Sequence, residues 1–237
     1  KPAIQRLVAA VLSPERGAAA LASLQVRPEL LETGATVSRA AMAMALNVIL
    51  FADLLDRVPS ARAYAAGVVA GGGRVCFDHG ALRTIDGPTG ALPAGRAAFA
   101  RILLPLGYEI GGIYPLPRLN MTGHVFTHRD FPEDMPQFFV SELHVAQLPE
   151  AAQAAAARVF GASADPLGET EHGVLARLER EGACPVEDAI IALPGLVRAF
   201  GRHHAAPALA DYECLLAHSA EAAWIATEGN AFNHATD

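Results

Sequence analysis

The feature that most restricts the fold of this chain is a change in hydrophobic pattern near residue 73, directly after three consecutive glycines. Before this point apolar residues recur with helical spacing, whereas the next stretch contains short apolar runs separated by Gly, Pro and Asp. Strand-like runs lie at 74–78, 82–85, 108–114, 121–128 and 137–146, and a helix-like segment lies at 91–105. The first two runs flank one short motif and are counted together as one strand. The predicted order is therefore strand, helix, strand, strand, strand. This order predicts a βαβββ unit, a curled sheet with one face that can hold a metal.

Helical patterns flank this unit on both sides. In residues 1–70, Ser13 precedes Pro14 as a helix N-cap does, Ser38 is predicted to cap a helix at 39–56, and Ser60 is predicted to cap a helix that ends at the glycines. After the unit, four Ala-rich helices are predicted at 149–160, 169–181, 186–204 and 210–226.

These patterns together predict an α+β fold. Its parts are a helical cover at 1–70, a first βαβββ unit at 71–148, a helical insertion at 149–228 and the start of a second βαβββ unit at 229–237. The second unit is expected to be truncated, since the sequence stops at Asp237. The chain also lacks an initiator methionine, and we therefore expect it to be part of a longer protein.

Charge and cysteine content exclude several classes of protein. The net charge is −7 and Lys1 is the only lysine, so the sequence offers no basic patch for nucleic acid. Three widely spaced cysteines give neither a disulfide framework nor a zinc–thiolate site, which favours the reducing cytoplasm. The most apolar run, 40–55, carries Asn47 and Asp53, so no membrane partner is expected. The sequence does not indicate an oligomeric state.

The candidate site begins in the motif at 74–84, where Arg83 follows His79 by four residues. A second histidine, His234, lies near the start of the last strand-like run. Two imidazoles and one carboxylate form the facial triad that holds non-haem Fe(II), and an arginine beside it can bind a substrate carboxylate in bidentate fashion. The spacing alone leaves other interpretations open: an isolated surface histidine, two unrelated histidines, and an ordinary salt bridge at Arg83.

Glu142 is a further candidate because it lies among apolar residues on the last predicted strand of the unit. It is interpreted as a metal ligand, as an acceptor for a ligand histidine, or as an internal salt-bridge partner, and the last two roles are favoured together. His144, on the same face of that strand, is a weaker candidate for a supporting role. His124 and His128 are predicted to lie at a polar loop end rather than in a second metal site.

Five segments of the sequence resemble the 2-oxoadipate dioxygenase/decarboxylase family, which is related to hydroxymandelate synthase within the vicinal oxygen chelate superfamily. They are ALNVILFADLLDRVPSARAY (45–64), FDHGALRT (77–84), PLGYEIGGIYPLPRLNMTG (105–123), PQFFVSELH (136–144) and WIATEGNAFNHATD (224–237). The resemblance extends along nearly the whole chain.

The resemblance implies an Fe(II)-dependent enzyme that converts 2-oxoadipate and O2 into 2-hydroxyglutarate and CO2, a step in lysine breakdown. It implies that His79 and His234 bind the metal and that Arg83 contacts the substrate. The third ligand of the family is a glutamate that would lie beyond residue 237, and by repeat symmetry Glu142 is expected near the metal. The alternatives are a metalloenzyme of the same fold acting on another 2-oxo acid, and a metal-free binding or regulatory relative.

Overall fold

The computed structural model of the protein describes residues 1–233, and its central element is a four-stranded sheet. The strands are β2 (His79–Asp86), β3 (Tyr108–Leu116), β4 (Met121–His128) and β5 (Gln137–His144), and α5 (Ala97–Leu103) lies between β2 and β3. The spatial order is β2-β5-β4-β3, with β2 parallel to β5 and the other pairs antiparallel. The predicted order of one strand, one helix and three strands is confirmed.

Several predicted boundaries in this unit are wrong. Residues 74–78 are not a strand; apart from one isolated bridge between Val75 and Leu24, they connect the glycines to β2. The predicted helix at 91–105 is shorter, because residues 91–96, which include Pro93 and Gly95, are not helical and α5 begins at Ala97. Gly95 has a φ of 56°, a conformation that glycine adopts without strain.

The helices on either side of the sheet follow the predicted pattern, except that the helix predicted at 186–204 ends at Arg198 and the one predicted at 210–226 is divided into two. In chain order they are α1 (Ala3–Val11), α2 (Pro14–Ser23), α3 (Arg39–Arg57), α4 (Pro59–Ala70), α6 (Glu150–Phe160), α7 (Glu169–Glu181), α8 (Val186–Arg198), α9 (Leu209–His218) and α10 (Ala220–Glu228). Ser13 and Ser38 accept backbone hydrogen bonds as the N-caps of α2 and α3. The predicted cap at Ser60 is wrong, because α4 begins at Pro59 and the N-cap position is Val58.

Helices from both flanking segments pack around α3. This helix is apolar on almost every side and buried from Ala40 to Ala52, so other elements surround it. A two-stranded sheet connects the segments further, since β1 (Thr36–Ser38) pairs antiparallel with β6 (Ala183–Pro185). The domain boundaries given above remain a prediction. None of the helices between residues 1 and 233 is long and apolar enough to cross a lipid bilayer.

The two faces of the four-stranded sheet have different surroundings. The face that carries Leu82, Phe138 and Val140 packs into the main hydrophobic core and is called the core face here. The opposite face, called the open face, carries His79, Ala81 and Arg83, which are only partly buried. At one end of the open face a second core of Ile85, Met121 and Leu143 packs against α6, α9 and α10.

Candidate functional site

The predicted site residues of β2 lie on the open face of the sheet. Because side chains alternate along a strand, His79, Ala81 and Arg83 point to the same side. The strand pairs without interruption with β5, which adds Phe139 and Ser141 to this face. His79 lies at the exposed end, and Arg83 lies next to the end that the second core covers. The open face therefore presents an imidazole and a guanidinium along one line.

His79 has one ring nitrogen engaged and one available. Its Nδ1 lies 2.6 Å from Oδ2 of Asp78, and its side chain is 35% exposed. Its Nε2 forms no hydrogen bond with any residue of the described part of the chain. A carboxylate on the outer nitrogen is the usual partner of a metal-bound histidine, because it orients the ring and makes the other nitrogen more basic. The chemistry and geometry of His79 fit a metal ligand.

Arg83 is held by an aromatic ring rather than by a carboxylate. Its Cζ lies over Trp224 of α10, 4.7 Å from the ring centroid, and no ion pair forms between Arg83 and any acidic residue within 1–233. By contrast, Arg39 and Arg101 form paired hydrogen bonds with Asp130 and Asp165. Within residues 1–233, no carboxylate therefore competes with an anionic ligand for the guanidinium of Arg83.

Gly80 lets the end of the described chain pack against β2. A Cβ at this position would lie 2.0 Å from the ring of Phe232, so only glycine leaves room for that ring. Beside it, Asn233 forms a bridge with Ala81, and its backbone N–H donates to the Ala81 carbonyl at 2.9 Å. The predicted ligand His234 lies outside the described residues.

Glu142 does not share a face with His79, and the expectation that it lies near a metal there is wrong. It is aligned with Thr84 of β2, and strand alternation puts both residues on the core face. Its carboxylate accepts hydrogen bonds from His124 Nε2 at 2.9 Å and from the backbone N–H of Arg96 at 2.9 Å. The symmetry between the two βαβββ units predicted the strand that carries Glu142, but it did not predict the face of the sheet to which the side chain points. Of the two roles that were favoured for Glu142, the structure shows the internal salt bridge, which it forms with Arg96 and His124.

The surroundings of Glu142 keep it ionised. Burial raises the pKa of its carboxyl, but hydrogen bonds from Arg96 and His124, together with their charges, outweigh burial and hold the pKa below its usual value. Gly95 makes this network possible, because a Cβ there would lie 2.4 Å from Glu142 Oε2. The network anchors the start of α5 to β5.

Three histidines of this sheet have structural roles that the sequence did not reveal. His124 and His128 are 2% and 1% exposed, so the prediction of a polar loop end is wrong. His144 bridges Asp86 and Thr122 on the core face, with distances of 2.7 and 2.8 Å, and so lies away from His79. Alternation along β4 and β5 was the available signal, since it puts these histidines on the same side as the buried Phe126 and Phe138.

Within residues 1–233 no three His, Cys, Asp or Glu side chains come together as a metal site. In the part of the chain that the structure describes, His79 with its neighbour Asp78 fits the chemistry of such a site, and these residues supply no complete ligand set.

The chain is similar to a known protein family in sequence and to several solved structures in fold. The profile of the 2-oxoadipate dioxygenase/decarboxylase family matches residues 61–237. A protein from Ralstonia eutropha JMP134 assigned to the glyoxalase superfamily is 50% identical, with a TM-score of 0.94 over 99% of this chain and 74% of that one. No curated protein matches the chain.

Two solved structures of lower identity share the fold. Hydroxyglutarate synthase from Oryza sativa, in complex with 2-oxoadipate, is 17% identical with a TM-score of 0.60, over 90% of this chain and 59% of that one. The hydroxyglutarate synthase of Pseudomonas putida, in complex with the same compound, is 17% identical with a TM-score of 0.58, over 84% and 49%. Together with the 50% identical neighbour, these structures confirm the predicted α+β fold of vicinal oxygen chelate type.

Proposed function

Because the chain belongs to the 2-oxoadipate dioxygenase/decarboxylase family, we propose that the protein is an Fe(II)-dependent enzyme that converts 2-oxoadipate and O2 into 2-hydroxyglutarate and CO2. The observation that carries this proposal is the open face of β2. There, a histidine and an arginine share one side of the strand, four residues apart, and within residues 1–233 the histidine Nε2 has no hydrogen-bond partner and the arginine has no carboxylate partner. The two residues suit the two ends of a dicarboxylic 2-oxo acid.

His79 and His234 would hold the metal, together with a glutamate further along the full-length protein. Asn233 lies beside Ala81, so the described chain reaches β2 one residue before His234 in the sequence. Bound iron supplies the redox chemistry that O2 and a 2-oxo acid require. Asp78 contributes by orienting the His79 ring through Nδ1, which leaves Nε2 as the ligand atom.

Arg83 would bind the carboxylate at the far end of the substrate. Its guanidinium offers two parallel N–H groups that match a carboxylate, and it has no competing acidic partner in the described residues. Holding this end fixes the position of the 2-oxo end near His79, and fixed orientation lowers the entropic part of the barrier. Phe139 on the same face adds apolar surface beside the substrate chain.

Oxygen uptake by the full-length protein tests this function. After anaerobic loading with Fe(II), we expect uptake that depends on 2-oxoadipate and yields one CO2 for each O2. His79→Ala should reduce the rate at least about a hundredfold, because loss of a ligand costs more than loss of a supporting group. His172→Ala is the matched control, since His172 is exposed on α7, and it should keep the native rate.

Other outcomes of the same experiment decide between the alternatives. Uptake with a different 2-oxo acid and none with 2-oxoadipate would replace the substrate and keep the reaction class. A full-length protein that binds no metal would favour a binding or regulatory relative. A His79→Ala variant with full turnover would contradict the assignment of the metal site.

A further inference from the structure

Trp224 has a position that the proposed reaction does not explain by itself. It is the only tryptophan of the chain, it lies on α10 and it is only partly buried, although it packs against the second core. The residues of α10 that belong to this core are small or branched, namely Ala222, Ala223 and Ile225. An indole is therefore not needed to fill it, and what its ring does contact is the guanidinium of Arg83.

We propose that Trp224 is a positioning residue that holds Arg83 ready for the distal carboxylate and thereby selects dicarboxylic substrates. This inference rests on the proposed function, because it concerns how the same site recognises its substrate. The selectivity would then depend on the contact between Arg83 on β2 and Trp224 on α10.

The nature of the contact supports this role. A cation over an indole ring is attracted to it without being neutralised, whereas a carboxylate partner would cancel the charge that the substrate needs. A cation–π contact also occupies none of the guanidinium N–H groups with an oxygen acceptor, so these groups can still donate to a carboxylate. Arg83 is a long side chain with many rotamers, and fixing it before binding reduces the entropy lost when the substrate arrives.

The position of α10 explains how the ring is kept in place. The helix begins at Ala220 after the N-cap Ser219, whose side chain accepts a hydrogen bond from the Ala222 backbone N–H. Ala222, Ala223 and Ile225 anchor one side of the helix in the second core. That core also contains Ile85, two residues after Arg83 on the same face of β2. The rigid neighbours of both side chains thus fix the distance between the ring and the guanidinium.

The test compares two acids of equal chain length, 2-oxoadipate and 2-oxohexanoate, of which only the first has a distal carboxylate. Their dissociation constants are measured by calorimetry on the full-length Fe(II)-loaded protein without oxygen. We expect Trp224→Leu to raise the dissociation constant of 2-oxoadipate about tenfold and that of 2-oxohexanoate less than about twofold. The tenfold change corresponds to the strength of a partly desolvated cation–π contact. Trp224→Phe keeps an aromatic ring, so its dissociation constant for 2-oxoadipate should lie between those of the native protein and Trp224→Leu.

Tyr64→Leu is the control variant. Tyr64 is 68% exposed on α4 and lies outside the site, so its loss should leave both constants unchanged. Thermal unfolding of each variant checks that the fold is kept, and Trp224→Phe carries the test if Trp224→Leu does not fold. The part of the tryptophan emission that Trp224→Phe removes should change when 2-oxoadipate binds to the native protein and should remain the same with 2-oxohexanoate.

The outcomes separate this inference from the proposed function. Selective loss of 2-oxoadipate binding supports the inference, even if the native protein consumes no oxygen and the proposed reaction fails. The inference is overturned if the tryptophan variants lose affinity equally for the two acids, or if neither variant loses affinity. If the native protein takes up oxygen in that case, the proposed reaction still holds. A native protein that binds neither acid contradicts both.

Discussion

Single residues on β2 show how one motif serves two sides of a sheet. In the segment Asp78–Arg83, His79 and Arg83 point to the open face, while Gly80 lies under Phe232 on the core face. The glycine is required for packing, because a methyl group there would overlap the phenyl ring. A short motif can therefore place functional side chains on one face of the strand and allow close packing on the other face.

Glu142 gives the sharpest test at the scale of a residue. Its place on the core face means that Glu142→Gln should leave Fe(II) affinity of the full-length protein unchanged. The same change should reduce the free energy of unfolding by about 1–3 kcal/mol, because the buried His124 loses its charged acceptor. Urea unfolding and metal titration of one preparation measure the two quantities.

Glu179→Gln serves as the control for that pair of measurements, since Glu179 is exposed on α7. It should change neither the unfolding free energy nor the metal affinity. A loss of metal affinity of tenfold or more in Glu142→Gln, with stability kept, would show that Glu142 acts in the metal site after all.

At the scale of elements, the break between α9 and α10 decides where Trp224 lies. The sequence predicts one helix from 210 to 226, but two helices form because Ser219 is extended, with φ −158° and ψ 112°, and caps the second one. The side chain of Ser219 accepts from the backbone N–H of Ala222 at 3.1 Å. This break lets α10 take its own direction against the open face of β2.

We expect Ser219→Ala to reduce the free energy of unfolding by about 1 kcal/mol, the usual effect of losing an N-cap. Ser60→Ala is the matched control, because Ser60 lies inside the first turn of α4 and caps nothing. It should change stability by less than about 0.5 kcal/mol. Chemical unfolding of both variants gives the comparison, and equal losses would contradict the assignment of the cap.

At the scale of the whole molecule, buried histidines make the fold sensitive to mild acid. His128 is fully enclosed: Nε2 donates to the Leu106 carbonyl at 2.9 Å, and Nδ1 accepts from the backbone N–H groups of Asp130 and Phe131. Burial is the main cause that lowers the pKa of His128 below its usual 6.5. Asp130 acts in the opposite direction, while Arg39 and Arg129 act in the same direction as burial.

The direction of this shift fixes the direction of the pH effect. Above about pH 6.5 the histidine is neutral in both folded and unfolded chains, and its contribution to stability is fully present. Below that value the unfolded chain takes up the proton first, so stability should fall by at most about 1.4 kcal/mol per pH unit for this group. Urea unfolding at several pH values between 7.5 and 5 measures the slope. In His128→Gln the slope should be smaller, and an unchanged slope would exclude His128 as its source.

The sequence by itself determined the order of the elements and the surface that β2 offers. Alternation of apolar and polar residues depends only on the local period of a strand, and capping depends only on neighbouring side chains, so β4, α7 and the start of α3 were predictable. The same local rules put His79 and Arg83 on one strand with four-residue spacing.

The tertiary structure decided which groups meet. Glu142 was on the predicted strand, yet the pairing of β2 with β5 put it on the other face from His79. The contact of Trp224 with Arg83 joins residues that are far apart in the chain, and it depends on the helix break at Ser219 and on the packing of α10. Such contacts follow from the register of strands and from the burial of whole helices, which are properties of the assembled molecule rather than of any local pattern.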